Sequence, residues 1–251
     1  MKKKIVVLSG AGLDAESGIA TFRSGTDALW DNHKITDVCT ATAWNKDPTL
    51  VNDFYNIRRI EVLNASPNKA HIDLAQAEEL YDITHITTNV SDLLERAGCT
   101  SVLHLHGHLL KARTSREGVG SLPDYLVEPF IVPVGQEGIK PMQEASDGHL
   151  LRPHVVFFNE TVPNLPNATE IIKTADVLIV VGTSLSVYPA ASLVWDVKDG
   201  CKVFYVDPTE DSDVALSFPC QHIKAPATSG ISKVLNILAE GNFNVNKETK
   251  T

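Results

Sequence analysis

The stretch "KIVVLSGAGLDAESGIATFR", residues 4–23, joins an apolar run to a glycine-rich turn. The run IVVL predicts a buried strand, and Gly10 and Gly12 permit a tight turn directly behind it. A dinucleotide-binding loop begins in this way, because the glycines let the backbone approach a pyrophosphate and helix-terminal N–H groups favour its charge. The third glycine of G-x-G-x-x-G is absent, since Ala15 occupies its position. Alone the turn is a weak indication, because many strand-to-helix turns carry glycines only to bend the chain.

Short β-branched runs continue along the chain and predict further strands at residues 82–88, 102–106, 154–158, 176–184 and 202–207. Residues 48–64 predict an amphipathic helix whose apolar face is formed by Leu50, Phe54, Ile57 and Ile60. Asn167 and Glu170 predict a capping box for a second helix at 167–175. This alternation predicts an α/β fold, with a Rossmann-like, mostly parallel sheet, helices on both faces and a smaller inserted lobe.

The length of 251 residues suits a single domain with small insertions. We expect residues 1–32, 76–107 and 154–240 to form the Rossmann-like core. An inserted helical module is expected at about 33–75, a small lobe rich in Gly, Pro and charge at about 108–153, and a polar tail at 241–251.

Composition excludes several classes of partner. The net charge of -9 argues against nucleic acid, whose binding depends on clustered Lys and Arg. No apolar run approaches the roughly 20 residues of a membrane helix, and IVVL is too short for a signal-peptide core. The four cysteines are scattered without a C-x-x-C, which indicates neither a zinc ribbon nor a disulfide framework. A cytoplasmic protein without nucleic-acid or membrane partners is expected, and the oligomeric state stays open.

Five stretches, in order, resemble the motifs of the sirtuin family. GAGLDAESGIATFR (10–23) resembles G-A-G-x-S-x-x-S-G-I-P-x-F-R, and TTNVSDLLERAG (87–98) resembles T-Q-N-I-D-x-L-H-x-x-A-G. LHLHG (103–107), LRPHVVFFNE (151–160) and VGTSLSVYPAA (181–191) resemble the catalytic-histidine motif, the substrate-channel strand and the second ribose and phosphate loop. YVDP (205–208) and KAPAT (224–228) fall where sirtuins contact adenosine. The chain most resembles the bacterial deacetylase/desuccinylase-like group.

The resemblance implies an NAD-dependent protein-lysine deacylase, which moves the acyl group of an acyl-lysine protein or peptide onto ADP-ribose and releases nicotinamide. It makes His106 the catalytic base, a role that suits an ordinary histidine pKa of about 6.5, and it makes Asn89 a second catalytic residue in the ribose pocket. Phe22 and Arg23 would belong to a loop that closes over NAD. The implied NAD-binding residues are Gly10, Ala11, Gly12, Glu16, Thr21, Phe22, Arg23, Trp30, Thr88, Ser91, Gly182, Thr183, Ser184, Asp207 and Ala227.

Four residues are implied in substrate binding. Val156 and Phe158 match positions that line the acyl-lysine tunnel. Tyr55 and Arg58 stand three apart on a predicted helix and match the Tyr-x-x-Arg pair of sirtuins that remove succinyl and malonyl groups. An arginine presents a planar fork to a carboxylate, and a tyrosine hydroxyl adds another donor.

Departures from the family pattern leave alternatives open. Thr88 and Ser91 replace a Gln and an Asp, of which the Asp holds the nicotinamide carboxamide, Leu94 replaces a His, and Asp14 replaces a Ser. Losing a hydrogen bond to a charged group costs about 1.5–3 kcal/mol, or roughly ten- to a hundredfold in affinity. A weakly catalytic or inactive binder of NAD or ADP-ribose is one alternative. An ADP-ribosyltransferase or NAD hydrolase is another, and a dehydrogenase is the least favoured.

Two metal questions arise. Residues 107–153 contain no cysteine, so the zinc module of the family is lacking and no zinc is expected. His104, His106 and His108 alternate, and imidazoles are good metal ligands. A site there is disfavoured, because Gly107 is expected to end the strand and the neighbouring sequence supplies no acidic or thiol ligand. We therefore expect no metal.

Overall fold

The computed structural model describes residues 2–21, 34–115, 130–209 and 218–241, and its centre is a six-stranded parallel sheet. The strands are β1 (Lys4–Ser9), β2 (Asp82–Thr87), β3 (Val102–His104), β4 (Gly107–Thr114), β5 (Ile131–Pro133), β6 (Leu151–Val155), β7 (Val177–Val181), β8 (Lys202–Val206) and β9 (Gln221–Ile223). The central sheet has the order β3-β2-β1-β7-β8-β9. The strand order changes direction between β1 and β7, and open α/β sheets bind ligands at the carboxyl ends of such a pair.

Helices cover both faces of this sheet, as the sequence predicts. They are α1 (Gly12–Ala15), α2 (Ile35–Val38), α3 (Ala41–Lys46), α4 (Pro48–Asn64), α5 (Lys69–Ala77), α6 (Leu93–Ala97), α7 (Leu165–Lys173), a 3₁₀ helix (Ala190–Trp195) and α8 (Ala227–Glu240). Ile5 and Val7 of β1 pack toward α5 and α8, whereas Val6 and Leu8 pack toward α7 and the 3₁₀ helix. The strand run is apolar on both sides because both sides are buried. None of the described helices combines the length and the apolarity that crossing a membrane requires.

A smaller antiparallel sheet of order β5-β4-β6 forms the inserted lobe. The prediction of a core strand at 154–158 is wrong, since β6 ends at Val155 and pairs with β4 of this lobe. An apolar run shows that a strand is buried but cannot show which sheet it joins. Ala112, Ile139 and Leu151 form the small apolar core of the lobe.

Helix α4 has the predicted bounds, and Asp47 caps it by accepting the Leu50 N–H at 2.9 Å. Its predicted apolar face is partly wrong, because Ile57 and Ile60 are 54% and 47% exposed. Arg59 is fully buried there instead, and its Nε donates to the Leu109 carbonyl at 2.9 Å. A pattern of aliphatic residues cannot reveal a buried arginine whose Nε bonds to a backbone carbonyl.

Helix α7 begins two residues earlier than predicted, at Leu165. Asn164 is its N-cap residue, so the predicted capping box of Asn167 and Glu170 is wrong. Pro166 lies in the first turn, where a missing N–H costs nothing, and this moves the start of the helix upstream.

Candidate functional site

The loops that follow β1, β2, β7 and β8 surround a cavity of about 650 Å³. Its position is the switch point between β1 and β7, at the carboxyl ends of the strands. A volume of this order is typical of small-molecule and cofactor sites, which span about 300–1,000 Å³.

Glycines allow the β1 and β7 loops to cross at close range. A Cβ atom on Gly12 would lie 2.6 Å from the Cα of Gly182, and one on Gly10 would lie 2.8 Å from the Cβ of Thr183. Gly182 also has φ +65°, a conformation that side chains disfavour. The residues at these positions are glycines because two backbones touch there.

The loop does not offer its N–H groups as the sequence suggested. Gly10 N–H donates to the Val181 carbonyl at 3.1 Å, and Gly12 N–H donates to the Gly182 carbonyl at 2.8 Å. The helix behind them, α1, is a single turn of four residues. These two amides therefore hold the loops together and are already hydrogen-bonded.

The cavity collects nearly every residue that the sequence implicated. Its lining includes the predicted NAD-binding residues Gly10, Ala11, Gly12, Glu16, Thr21, Thr88, Ser91, Gly182, Thr183, Ser184, Asp207 and Ala227. It also includes the predicted catalytic residues Asn89 and His106 and the predicted substrate residues Tyr55, Arg58, Val156 and Phe158. Phe22, Arg23 and Trp30 lie outside the described residues.

Hydrogen bonds hold the β2 loop against the β1 loop. Asn89 Nδ2 donates to the Gly10 carbonyl at 3.0 Å, and Thr88 Oγ1 donates to the Ser9 carbonyl at 3.2 Å. The backbone N–H of Asn89 donates to Thr87 Oγ1 at 3.0 Å. Asn89 is thus fixed at the junction of the two loops, where its side chain lines the cavity.

His106 lies beyond the end of β3 in the cavity wall. Its carbonyl accepts the Val156 N–H at 2.9 Å, which ties it to the segment after β6. Burial lowers the pKa of His106 below its ordinary value of 6.5, and a backbone hydrogen bond with Thr88 acts in the opposite direction. The imidazole is therefore neutral at physiological pH and can accept a proton.

Unlike His106, the neighbouring His104 and His108 do not line the cavity. His104 Nδ1 donates to the Asn89 carbonyl at 2.9 Å, and its Nε2 lies 2.8 Å from Glu95 Oε1. Glu95, His104 and His108 bring their ligand atoms within 4.8 Å of one another. The expectation that no acidic ligand lies nearby was wrong, because α6 folds back against β3. None of these three residues lines the cavity.

A second group with metal-ligand chemistry is formed by Glu78, His85 and Cys99. Burial raises the pKa of the Cys99 thiol to about 12 and lowers the pKa of His85. Glu78 already accepts hydrogen bonds from the N–H and hydroxyl of Thr100. Glu78 precedes β2 and His85 lies within it, and none of the three residues lines the cavity, so the group takes no part in the site.

The predicted substrate pair on α4 has partners within the chain. The Tyr55 hydroxyl donates to the Sγ of Cys39 at 3.2 Å, and its ring stacks on Phe157 with centroids 5.8 Å apart. Arg58 forms an ion pair with Glu61. Burial raises the pKa of Tyr55 well above 10 and that of Cys39 to about 11, so both stay protonated.

Sequence reasoning missed the partners of several site residues. Asp14 is buried and bonds both to Ser91 and to His71, a residue of α5 that carried no motif. Cys39 and Glu61 also line the cavity without having been predicted. Of these contacts, only the Arg58–Glu61 pair could have been predicted, since oppositely charged residues three positions apart meet on a helix.

Comparison with known proteins agrees with this geometry. The model of the Sir2 family matches residues 10–189. The chain belongs to the Sir2 family. An NAD-dependent protein deacylase of Aggregatibacter actinomycetemcomitans is 45% identical over 84% of this chain and 96% of its own length. One of Bacteroides thetaiotaomicron is 40% identical over 94% of this chain and 98% of its own length.

Solved structures of the family share the fold over nearly the whole chain. A Sir2 homologue in complex with NAD has a TM-score of 0.81 at 35% identity and covers 96% of this chain and 91% of its own. A mutant Sir2 homologue in complex with ADP-ribose has a TM-score of 0.82 at 35% identity and covers 97% of this chain and 96% of its own.

Proposed function

We propose that this Sir2 family member is an NAD-dependent protein deacylase that acts on acylated lysine side chains of proteins or peptides. One observation carries the proposal. One cavity at the β1–β7 switch point joins a neutral, half-buried histidine, an anchored asparagine and two crossing glycine loops. Relatives that share this fold bind NAD and ADP-ribose, and related chains are NAD-dependent protein deacylases.

The cavity fits NAD. Gly182, Thr183 and Ser184 follow β7 at the loop crossing and would hold the phosphates and the nearer ribose. Asp207 follows β8, where a carboxylate suits the hydroxyls of the adenosine ribose. Ala227 opens α8 beside it, and the Glu16 carboxylate accepts from Thr228 of the same helix at 2.7 Å. The remaining predicted NAD-binding residues that the structure describes also line the cavity, namely Gly10, Ala11, Gly12, Thr21, Thr88 and Ser91.

NAD, when bound, supplies the ribose carbon to which the acyl oxygen adds and the nicotinamide that departs. His106 then accepts a proton from a ribose hydroxyl on its ring nitrogen, which its neutral state allows. Asn89, held by the Gly10 carbonyl, orients the ribose against that ring. Val156 and Phe158 would flank the acyl-lysine and present apolar surface to its stem.

We also propose that the enzyme prefers acidic acyl groups and belongs with the bacterial desuccinylase-like group. Arg58 and Tyr55 lie in the cavity wall, where an acyl carboxylate would accept hydrogen bonds from both. Tyr55 would have to turn its hydroxyl from Cys39, and Arg58 would have to exchange Glu61 for the ligand.

We further propose that no zinc is required, since the apolar cluster of Ala112, Ile139 and Leu151 holds the small sheet together. We also propose that the chain forms a single catalytic domain. Its parts are a core of 1–32, 76–107 and 154–240, a helical module at 33–75, a lobe at 108–153 and a tail at 241–251. We also propose a cytoplasmic location, with neither nucleic acid nor membrane as a partner.

Incubation of the protein with NAD and with acetyl-, succinyl- or malonyl-lysine peptides tests the function. Formation of acyl-ADP-ribose with loss of the acyl group is the expected result. Binding of NAD without turnover would instead indicate an inactive NAD-binding homologue, and nicotinamide release with an unchanged peptide would indicate an NAD hydrolase or an ADP-ribosyltransferase. The His106→Ala variant provides the matched control, because it removes the base and leaves the cavity open.

A further inference from the structure

A buried carboxylate in the cavity wall is held by two neutral donors. Asp14 is only 4% exposed. Its Oδ2 accepts the hydroxyl of Ser91 at 2.6 Å, and its Oδ1 lies 3.1 Å from Nε2 of His71. Asp14 and Ser91 both line the cavity, whereas His71 lies behind them and is fully buried.

The hydrogen bonds of His71 settle which ring nitrogen carries its proton. The backbone N–H of Asn68 donates to Nδ1 at 3.2 Å, so Nδ1 is an acceptor and the hydrogen is on Nε2. His71 therefore donates to Asp14 as a neutral ring and brings no positive charge. Throughout the described ranges, no Lys or Arg forms an ion pair with Asp14.

This leaves Asp14 with unused acceptor capacity. A carboxylate offers about four acceptor positions, and the residues that the structure describes fill two of them. Burying a charged group is costly unless hydrogen bonds compensate it. A charged oxygen in a cavity wall, held in place by Ser91 and His71, is therefore suited to accept an N–H from a ligand.

The two residues also depart together from the family pattern. That pattern has a serine at position 14 and an aspartate at position 91, whereas this chain has Asp14 and Ser91. The structure places these two side chains in direct contact. Relative to that pattern, the hydroxyl and the carboxylate stand at each other's positions, and both side chains line the cavity of this chain.

We propose that Asp14 accepts the N–H of the nicotinamide carboxamide of NAD, with Ser91 and His71 as positioning residues. The proposal rests on the proposed function and deepens it. Ser91 follows Asn89 by two residues on the β2 loop, and Asn89 is the residue proposed above to orient the reacting ribose. Asp207 marks the adenosine side, since it follows β8, two strands away from β1. The carboxamide is the N–H donor of NAD at the nicotinamide end.

Comparison of two ligands tests this assignment without turnover. Binding of carbocyclic NAD, which cannot be cleaved, and of ADP-ribose, which lacks nicotinamide, is measured by calorimetry with acetyl-lysine peptide present. Asp14→Asn should weaken carbocyclic NAD by roughly ten- to a hundredfold and leave ADP-ribose unchanged. The ADP-ribose affinity also reports that the variant is folded. Asp92→Asn is the matched control, because Asp92 directly follows Ser91 but does not line the cavity.

The exchange itself is tested by restoring the family arrangement. Asp14→Ser alone removes the carboxylate, and Ser91→Asp alone sets two carboxylates against each other, so both should bind carbocyclic NAD weakly. The double variant Asp14→Ser, Ser91→Asp should recover most of the affinity. Equal loss of both ligands in Asp14→Asn, or no recovery in the double variant, would overturn the proposal. Failure of the wild type to deacylate peptides would count against the proposed function alone, because the ligand comparison needs no catalysis.

Discussion

The guanidinium of Arg58 forms an ion pair with Glu61, one turn further along α4, in the wall of the cavity. The charge that would bind an acidic acyl group thus already has a carboxylate partner within the chain. Burial raises the pKa of Glu61, although Arg58 acts against that rise. Glu61 therefore competes with the substrate for Arg58, and its removal should change the acyl preference.

Glu61→Gln is predicted to increase kcat/KM for succinyl-lysine peptide relative to acetyl-lysine peptide. A partly exposed ion pair is worth up to about 1 kcal/mol, so the ratio should rise by roughly three- to fivefold. Parallel assays of the two peptides at one NAD concentration provide the measurement. An unchanged ratio would show that Glu61 does not compete with the substrate.

Arg58→Met is predicted to abolish desuccinylation and demalonylation and to spare deacetylation. Methionine keeps the apolar stem of the side chain and removes the planar group that binds a carboxylate. The same peptide assays separate the activities. Equal loss of deacetylation and desuccinylation would refute the carboxylate clamp, because a general defect in the cavity would affect every acyl group.

His106→Ala is predicted to remove acyl transfer while NAD still binds. General-base catalysis contributes about 10²–10⁴-fold, so a loss of at least that size is expected. In the wild type, burial lowers the pKa of His106 below 6.5, and the base stays neutral as the pH falls through 6.5. The acid limb of the kcat/KM profile should therefore lie below pH 6.5. An acid limb above that value, or unchanged turnover in the variant, would contradict the role of His106.

The sequence predicts β1, β2, β7 and β8 of the central sheet well, because these inner strands are largely buried on both sides. It misses the edge strand β9, whose three residues are only half-buried. The IVVL run of β1 and the apolar run of β7 have the predicted positions, and the helices between them follow from alternation. The strand near residue 155 was assigned to the wrong sheet, since partner choice depends on contacts that are distant in sequence. Most of the cavity lining could be named from ordered motifs, because these motifs lie at the carboxyl ends of successive strands.

The pairing of side chains within the site could not be predicted. Asp14 and Ser91 are 77 residues apart in sequence, and each alone suggested a damaged nicotinamide pocket. The structure brings them together, with the Ser91 hydroxyl donating to Asp14 Oδ2 at 2.6 Å. Glu95 likewise approaches His104 only through the return of α6 onto β3, which no local pattern shows.

Gly12→Ala is predicted to destabilise the crossing of the β1 and β7 loops and to weaken NAD binding. The new Cβ would meet the Cα of Gly182 at 2.6 Å, which is backbone that cannot turn away. Overpacking of this kind costs about 1–3 kcal/mol. Gly200→Ala is the matched control, since its Cβ meets nothing within 4 Å and only its φ of +79° is unfavourable. Thermal unfolding and NAD titration of both variants should show lost NAD affinity in Gly12→Ala alone.

Glu160→Gln is predicted to destabilise the segment after β6, because it removes the ion pair between Glu160 and the buried Arg152. Arg152 is 2% exposed, and its Nη1 lies 2.6 Å from Glu160 Oε1, while Glu160 Oε2 accepts the Phe157 N–H at 2.7 Å. Replacement of the charged acceptor should cost about 1.5–3 kcal/mol at neutral pH. Phe157 stacks on Tyr55, so desuccinylation should fall as well. Glu170→Gln is the matched control, because its pair with Lys173 is exposed and should leave unfolding unchanged.

The pH dependence of that destabilisation has a definite sign. Hydrogen bonds and the charge of Arg152 lower the pKa of Glu160 below its ordinary value of 4.5, against the effect of burial. The unfolded chain therefore binds a proton at higher pH than the folded chain, and the carboxylate stabilises the fold above pH 4.5. This contribution is lost as the pH falls through the lower folded-state pKa. Urea unfolding of wild type and Glu160→Gln from pH 7 to pH 3 should show a constant difference that shrinks below pH 4.5, whereas a difference that grows on acidification would contradict the ion pair.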